Sequence, residues 1–252
     1  VIEFVQRGQL TFGRFPIFDE WPDVVAVVTT RLGGVSRPPY DGLNLGLSTA
    51  DDPNHVMQNR QRFFDALGIS EDHVVRPHQV HGREIRYVRY GGTCGDVDAV
   101  FTDRKGIFLS VSVADCVPVL IFDPESGTCA AIHAGWRGTT AGIAKAAVDE
   151  MCRTLSVRPG SLVAAIGPSI GPEKYEVGDD VAAQFDRAFV RRVGKTFYLD
   201  LWSANRAQLE SAGVKRIAIA GECTASNSTR YFSHRASGGR TGRMLAVIGR
   251  RG

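Results

Sequence analysis

Residues 107–138 read IFLSVSVADCVPVLIFDPESGTCAAIHAGWRG. Segments 107–113, 117–122 and 129–133 are short apolar runs, the pattern of interior strands whose two faces are both buried. Thr139 or Thr140 then caps a helix reaching to about Leu155, with Ala and Ile at helical spacing. Downstream, 162–166 reads as a strand stopped by Gly167-Pro168-Ser169-Ile170-Gly171-Pro172. Helical stretches near 179–190 and 202–212 flank a short strand at 196–199, and 217–220 and 244–248 read as late strands. Upstream, the β-branched run 24–30 enters a glycine turn over 31–36, and Pro38-Pro39-Tyr40-Asp41-Gly42 continues as loop. Asp52-Pro53 starts a helix that ends near Leu67 at Gly68, with Val56, Phe63, Phe64 and Leu67 facing the core. Segment 73–80 is a strand before a turn at His81-Gly82, and 84–90 alternates like a half-buried strand.

Strands therefore come in clusters with helices between clusters. That order predicts an α+β fold, mixed β-sheets with flanking helices, rather than a doubly wound parallel sheet. No G-x-G-x-x-G follows the first strand and no Walker loop is present, which removes the main signal for dinucleotide and ATP folds. Neither an internal repeat nor a low-complexity tract interrupts the chain. At 252 residues it is expected to be a single domain over 1–252.

Composition narrows the class. A hydrophobic fraction of 43% with 23% charged residues excludes a disordered chain. The net charge of +3 owes much to a tail bearing Arg240, Arg243, Arg250 and Arg251, read as solvated surface. So scattered a surplus gives no reason to expect a nucleic-acid partner. Five cysteines, odd in number and widely spaced, argue for reduced thiols and a cytoplasmic setting. The N-terminal residues lack a signal-peptide pattern, although the chain starts at Val1 without a Met, and no apolar stretch approaches the roughly 20 residues a membrane helix needs. No membrane association is expected. For assembly, the expectation is a monomer or weak homo-oligomer.

Three polar residues stand at the ends of apolar strands: His81, Cys116 and His133. Strand ends open on a common sheet edge, where residues distant in sequence converge. Two imidazoles and a thiolate suit zinc or copper, not magnesium or calcium, and three protein ligands leave a tetrahedral ion one open position. Their spacing matches no short finger motif. The same residues also read as a nucleophilic pair, with Cys116 as thiolate and His133 as base. Gly135-Trp136-Arg137-Gly138-Thr139 is small, rich in donors and enters a helix, a setting for an anion, and Arg137 offers a planar fork for phosphate. Arg31, Asn44 and Gln79 are candidates to complete a pocket. Asp98 and Asp115 are candidates either to orient a ligand imidazole or to serve as acid and base.

These blocks occur in order with Thr30-Arg31-Leu32-Gly33-Gly34-Val35-Ser36, Leu43-Asn44-Leu45-Gly46, Tyr175-Glu176-Val177 and Phe232-Ser233-His234-Arg235. Together they resemble the YfiH/YlmD family of purine nucleoside phosphorylases, long labelled laccase-like or polyphenol oxidoreductases. The resemblance spans nearly the whole chain. It implies zinc, ahead of copper, at His81, Cys116 and His133, and a fold distantly like that of cysteine-dependent toxin deamidases. It also implies phosphorolysis of adenosine, inosine, guanosine and 5′-methylthioadenosine with inorganic phosphate, together with adenosine deamination. A phosphate held by Arg137 and the 135–139 backbone would attack the ribose C1′, with Asp98 or Asp115 handling the proton on the leaving base. A laccase mechanism fits poorly. Type 1 and trinuclear copper centres are held mostly by imidazoles, and this chain has six histidines: His55, His73, His78, His81, His133 and His234. A Cys-His hydrolase or amidase is the other alternative.

Overall fold

Strands from both ends of the chain meet in the first of two large sheets. The computed structural model describes residues 2–252. The chain opens with β1 (Glu3–Arg7), β2 (Leu10–Arg14) and β3 (Val24–Thr29), then α1 (Pro53–Leu67). Next come β4 (Val74–His78), β5 (Ile85–Tyr87), β6 (Gly92–Asp96), β7 (Ala99–Thr102), β8 (Phe108–Val113), β9 (Val117–Phe122) and β10 (Cys129–Ala134). After α2 (Trp136–Thr140) and α3 (Ile143–Leu155) follow β11 (Val163–Ile166), β12 (Glu176–Val177), α4 (Asp179–Ala182), β13 (Val190–Val193) and β14 (Thr196–Leu199). The last elements are α5 (Leu201–Ser211), β15 (Arg216–Ile219) and β16 (Met244–Arg250).

The first sheet runs β1-β2-β3-β16-β8-β4-β6, the second β15-β11-β9-β10-β7-β5, and a small third sheet β12-β14-β13. Both large sheets are mixed. β16 is antiparallel to β3 and β8 whereas β4 is parallel to β8, and β11 is parallel to β15 but antiparallel to β9. The expected α+β architecture is the one the chain adopts.

Alternation along each strand divides its side chains between two cores. Leu109, Val111, Ala246 and Ile248 of the first sheet meet Leu120, Phe122, Ala131 and Val163 of the second, so the sheets pack face to face. The outer face of the second sheet, with Val119, Ile121 and Ile132, is covered by Ile143, Ala147 and Met151 of α3 and Leu209 of α5. The outer face of the first, with Phe12, Val27 and Val247, is covered by Phe63, Phe64 and Leu67 of α1. Four layers result, which is why β9 and β10 are buried along their whole length, while β8 places Ser110 and Ser112 on one of its faces.

Helix α1 has the expected ends: the Asp52 side chain accepts from the Asn54 N–H, and Gly68 takes the left-handed conformation at φ 66°. The single helix expected from Thr139 to Leu155 is instead two. Helix α2 starts at Trp136, and Gly142 at φ 77° turns the chain before α3. The stretch 179–190 also corrects the sequence reading, since it holds only the four residues of α4 and a 3-10 turn at Arg187–Phe189 before β13. Among the described residues no helix is long and apolar enough to cross a membrane.

Candidate active site

The chain passes from the first sheet to the second between β8 and β9, and Cys116 sits at that crossing. His133 lies on β10, in register with Pro118 one strand away. His81 follows β4, in the first sheet. The three residues thus meet at the seam between two sheets rather than on one sheet edge. Their ligand atoms all lie within 4.8 Å of one another. The two imidazoles are edge-on, with ring centroids 4.8 Å apart and an interplanar angle of 79°.

Two non-glycine residues here hold left-handed backbone, His81 at φ 59° and Asp115 at φ 88°. Such conformations cost on the order of 1–3 kcal/mol each and persist where surrounding structure imposes them. At His81 the imposing group is buried Asp98, whose carboxylate accepts from the N–H groups of Val80 (3.2 Å), His81 (3.0 Å) and Gly82 (2.6 Å). The same carboxylate meets Nδ1 of His133 at 2.8 Å, which turns that ring's Nε2 toward Cys116. At Asp115 the carboxylate accepts from Thr224 Oγ1 and from the Arg235 N–H, both at 2.6 Å, and its carbonyl accepts from the Ile170 N–H.

Charge is coupled across the site. Burial opposes ionisation of Cys116, yet the His133 and His81 rings beside it outweigh burial and hold its thiol below the ordinary range. Burial likewise works against a charged His133, and the Cys116 sulfur and Asp98 reverse that and raise its pKa. Asp98 is pushed up by burial and pulled further down by His133 and the backbone N–H groups, ending below the usual carboxylate range. The ionised form of Cys116 and the protonated form of His133 thus stabilise each other.

The residues fit a borderline-soft divalent ion. Two nitrogens and one sulfur converge, one ring is oriented by a carboxylate, and Gly135 leaves the space open. A Cβ at Gly135 would stand 3.1 Å from Cys116 Sγ and 3.2 Å from His81 Cδ2. Of the other histidines, His73, His78 and His234 are exposed and His55 is half-buried on α1. Among the described residues this is the one such donor group.

The remaining expected site residues have different surroundings. Trp136 and Arg137 open α2, with the exposed Arg137 guanidinium 4.4 Å from the Trp136 ring. Five residues of helix give little dipole, so Arg137 itself is the main anion-directed feature of this segment. Gln79 pairs with both backbone groups of Ser112, at 2.8 and 2.7 Å, and extends the β4–β8 ladder. Asn44 is buried with its amide fully engaged. It donates to Thr49 and Asp51 and accepts from the N–H groups of Gly46 and Arg243. Arg31 donates to the carbonyls of Asp41 and Ser228 and lies over Phe232. It lines a cavity of about 610 Å³ with Pro38, Pro39, Asp41 and Arg240.

Two residues near the site gave no signal as site residues in the sequence. Half-buried Tyr175 has its hydroxyl pKa pushed up to about 12, by burial first and then by Cys116, against Arg235 and Arg137. The Arg235 guanidinium lies 5.2 Å from the Tyr175 ring and donates to the Glu176 carbonyl. The other is Arg243, half-buried rather than part of a solvated tail.

Residues 25–251 match the family model described as multi-copper polyphenol oxidoreductase laccase. The chain is 46% identical over 226 residues to a Deinococcus radiodurans protein named purine nucleoside phosphorylase, covering 88% of this chain and 87% of that one. It is 35% identical over 243 residues to Escherichia coli purine nucleoside phosphorylase YfiH, covering 92% and 97%. The crystal structure of YlmD from Geobacillus stearothermophilus superposes with a TM-score of 0.93 at 36% identity, covering 100% of both chains. That of the Bacillus licheniformis protein YfiH gives a TM-score of 0.90 at 34% identity, covering 98% of this chain and 99% of that one.

Proposed function

Since this chain belongs to the YfiH/YlmD family, the one described as multi-copper polyphenol oxidoreductase laccase, we propose that it is a zinc-dependent purine nucleoside phosphorylase. Adenosine, inosine, guanosine and 5′-methylthioadenosine are its substrates with inorganic phosphate, giving the free base and the corresponding pentose 1-phosphate. Adenosine is also deaminated at the same site. The observation that carries this reading is the convergence of His81, Cys116 and His133 within 4.8 Å, in a chain whose relatives bear the phosphorylase name.

In this reading His81, Cys116 and His133 hold the zinc, which supplies Lewis acidity at neutral pH when bound. Asp98 keeps the His133 ring turned to the ion. Asp98 and Asp115 act as positioning residues rather than as proton carriers, because their oxygens are occupied by four and two protein donors respectively. Arg137 contributes a guanidinium that makes no hydrogen bond within the protein among the described residues, free to meet phosphate as it attacks C1′. Tyr175, beside the thiolate and kept protonated by burial, offers an O–H toward the departing base or the sugar.

The multicopper description does not suit these side chains. Two of six histidines converge, and one donor group cannot hold a type 1 centre and a trinuclear cluster together. Chromatography of inosine incubated with the metal-loaded protein tests the proposal. Hypoxanthine and ribose 1-phosphate are expected only when phosphate is present. Base release that ignores phosphate, or full activity after exhaustive chelation, overturns it.

A further inference from the structure

The sequence places Arg243 in a basic tail, but the fold places it beside the ligands. Met244 opens β16 in register with Val113 of β8. Continuing that antiparallel register sets Arg243 opposite Ala114, two residues before Cys116. Its backbone N–H is held at 2.9 Å by Asn44, a buried side chain that spends its other bonds on its own loop. Gly46 of that loop lies against the arginine stem. A Cβ there would come within 2.6 Å of Arg243 Cγ and 2.9 Å of its Cβ.

The guanidinium is fixed at one corner only. Nη1 donates to the carbonyls of Thr241 (2.9 Å) and Gly242 (3.0 Å). Among the described residues, Nε and Nη2 meet no acceptor and no carboxylate pairs with the group. Other covered arginines are neutralised: Arg31 and Arg250, half-buried like Arg243, meet Asp41 and Asp23, and the more deeply buried Arg60 meets Glu71. Nε and Nη2 form the side edge of the guanidinium, whose two parallel N–H bonds match two oxygens of a phosphate. A partly desolvated cation with no counter-ion is costly unless an anion completes it. Burial lowers the Arg243 pKa, opposed by the charges of Cys116 and Asp115, so the group lies in the field of the site.

We propose that Arg243 binds the oxyanion co-substrate, inorganic phosphate, through its Nε–Nη2 edge, and that the Asn44–Gly46 loop is the mount that aims it. This assignment rests on the phosphorolytic reading above and adds a second guanidinium to the exposed Arg137.

The test uses the metal-loaded protein and the variants Arg243→Gln, Arg243→Lys and, as a surface control, Arg158→Gln at an exposed arginine. Calorimetric titration with sodium phosphate should show affinity falling about tenfold or more in Arg243→Gln, the scale of a lost charge-assisted pair. KM for phosphate should rise in parallel while KM for inosine stays within about twofold, and Arg158→Gln should match the wild type. Arg243→Lys, which keeps the charge but not the fork, should fall between wild type and Gln, and it carries the test alone if the Gln variant does not fold. Unchanged phosphate affinity in the Gln or, failing that, the Lys variant overturns the proposal, as does an equal loss for inosine and phosphate. A wild-type protein that binds phosphate but does not cleave inosine would sink the phosphorylase reading, and the titration would still decide on Arg243.

Discussion

Asp98 and Asp115 are both buried and both stand beside the three converging ligands, but they hold different things. Every partner of the Asp98 carboxylate is a ligand or a neighbour of one: the N–H groups of residues 80–82 and the ring of His133. Asp115 reaches instead to Thr224 and Arg235, 109 and 120 residues further along the chain. One carboxylate shapes the metal site and the other fastens distant loops to it. Two buried carboxylates can thus have separable effects, one on metal affinity and one on the loops that surround the site.

Cys116→Ala gives the upper bound for any effect on the metal. Losing the sulfur should abolish stoichiometric metal by elemental analysis and lower phosphorolysis by about a thousandfold or more. Asp98→Asn should come next, weakening metal binding by about 10–100-fold in competition with a chelator, as loss of a group orienting a ligand imidazole does. The same variant has a pH signature. The folded Asp98 pKa lies below its unfolded value, so its stabilisation is complete above the unfolded pKa of about 3.9 and is lost as pH falls through the folded value. Asp98→Asn should therefore flatten the acid limb of a stability-versus-pH curve measured on metal-free protein. Gly135→Ala should follow, because its Cβ would crowd Cys116 and His81 at 3.1 and 3.2 Å. A shift of a few tenths of an ångström in the ligands should cost about tenfold in metal affinity, on the scale at which site geometry matters. Asp115→Asn should have the smallest effect on the metal, within about twofold, while lowering unfolding stability by about 1–3 kcal/mol for its broken buried hydrogen bonds. Metal loss in Asp115→Asn as large as in Asp98→Asn would erase the distinction between the two.

What the sequence revealed follows the same division between local and distant causes. Strands β8 to β10 were legible because a four-layer fold buries nearly all of both their faces, leaving mainly apolar runs interrupted only by Ser110 and Ser112 in β8 and His133 in β10. Helix α1 was legible from its own ends, Asp52 and Gly68. Strands β1 and β6 were not, because they are edge strands whose side chains are mostly exposed and show no apolar alternation. The break between α2 and α3 was hidden because Gly142 inside an Ala-rich stretch reads equally well as a tolerated helical glycine. His81, Cys116 and His133 could be named from their strand-end positions, but the seam that unites them depends on which sheet each strand joins. Asn44 and Gln79 are polar residues in loop-like segments, a pattern that fits a pocket and a brace alike. Their partners, Arg243 and Ser112, lie 199 and 33 residues away. Arg243 was hidden for the same reason, since its neighbours are set by β16 pairing rather than by anything nearby in sequence.

The place of β16 also bears on how the molecule is made. This strand, near the end of the chain, lies between β3 and β8 in the middle of the first sheet. Translation at about 5–20 residues per second leaves roughly 7–26 seconds in which both neighbours have been synthesised without it. During that interval each presents a row of unpaired backbone groups, the surface on which strands of other chains add. Until residues 244–250 are available, β3 and β8 therefore lack the strand that joins them, and the first sheet cannot close.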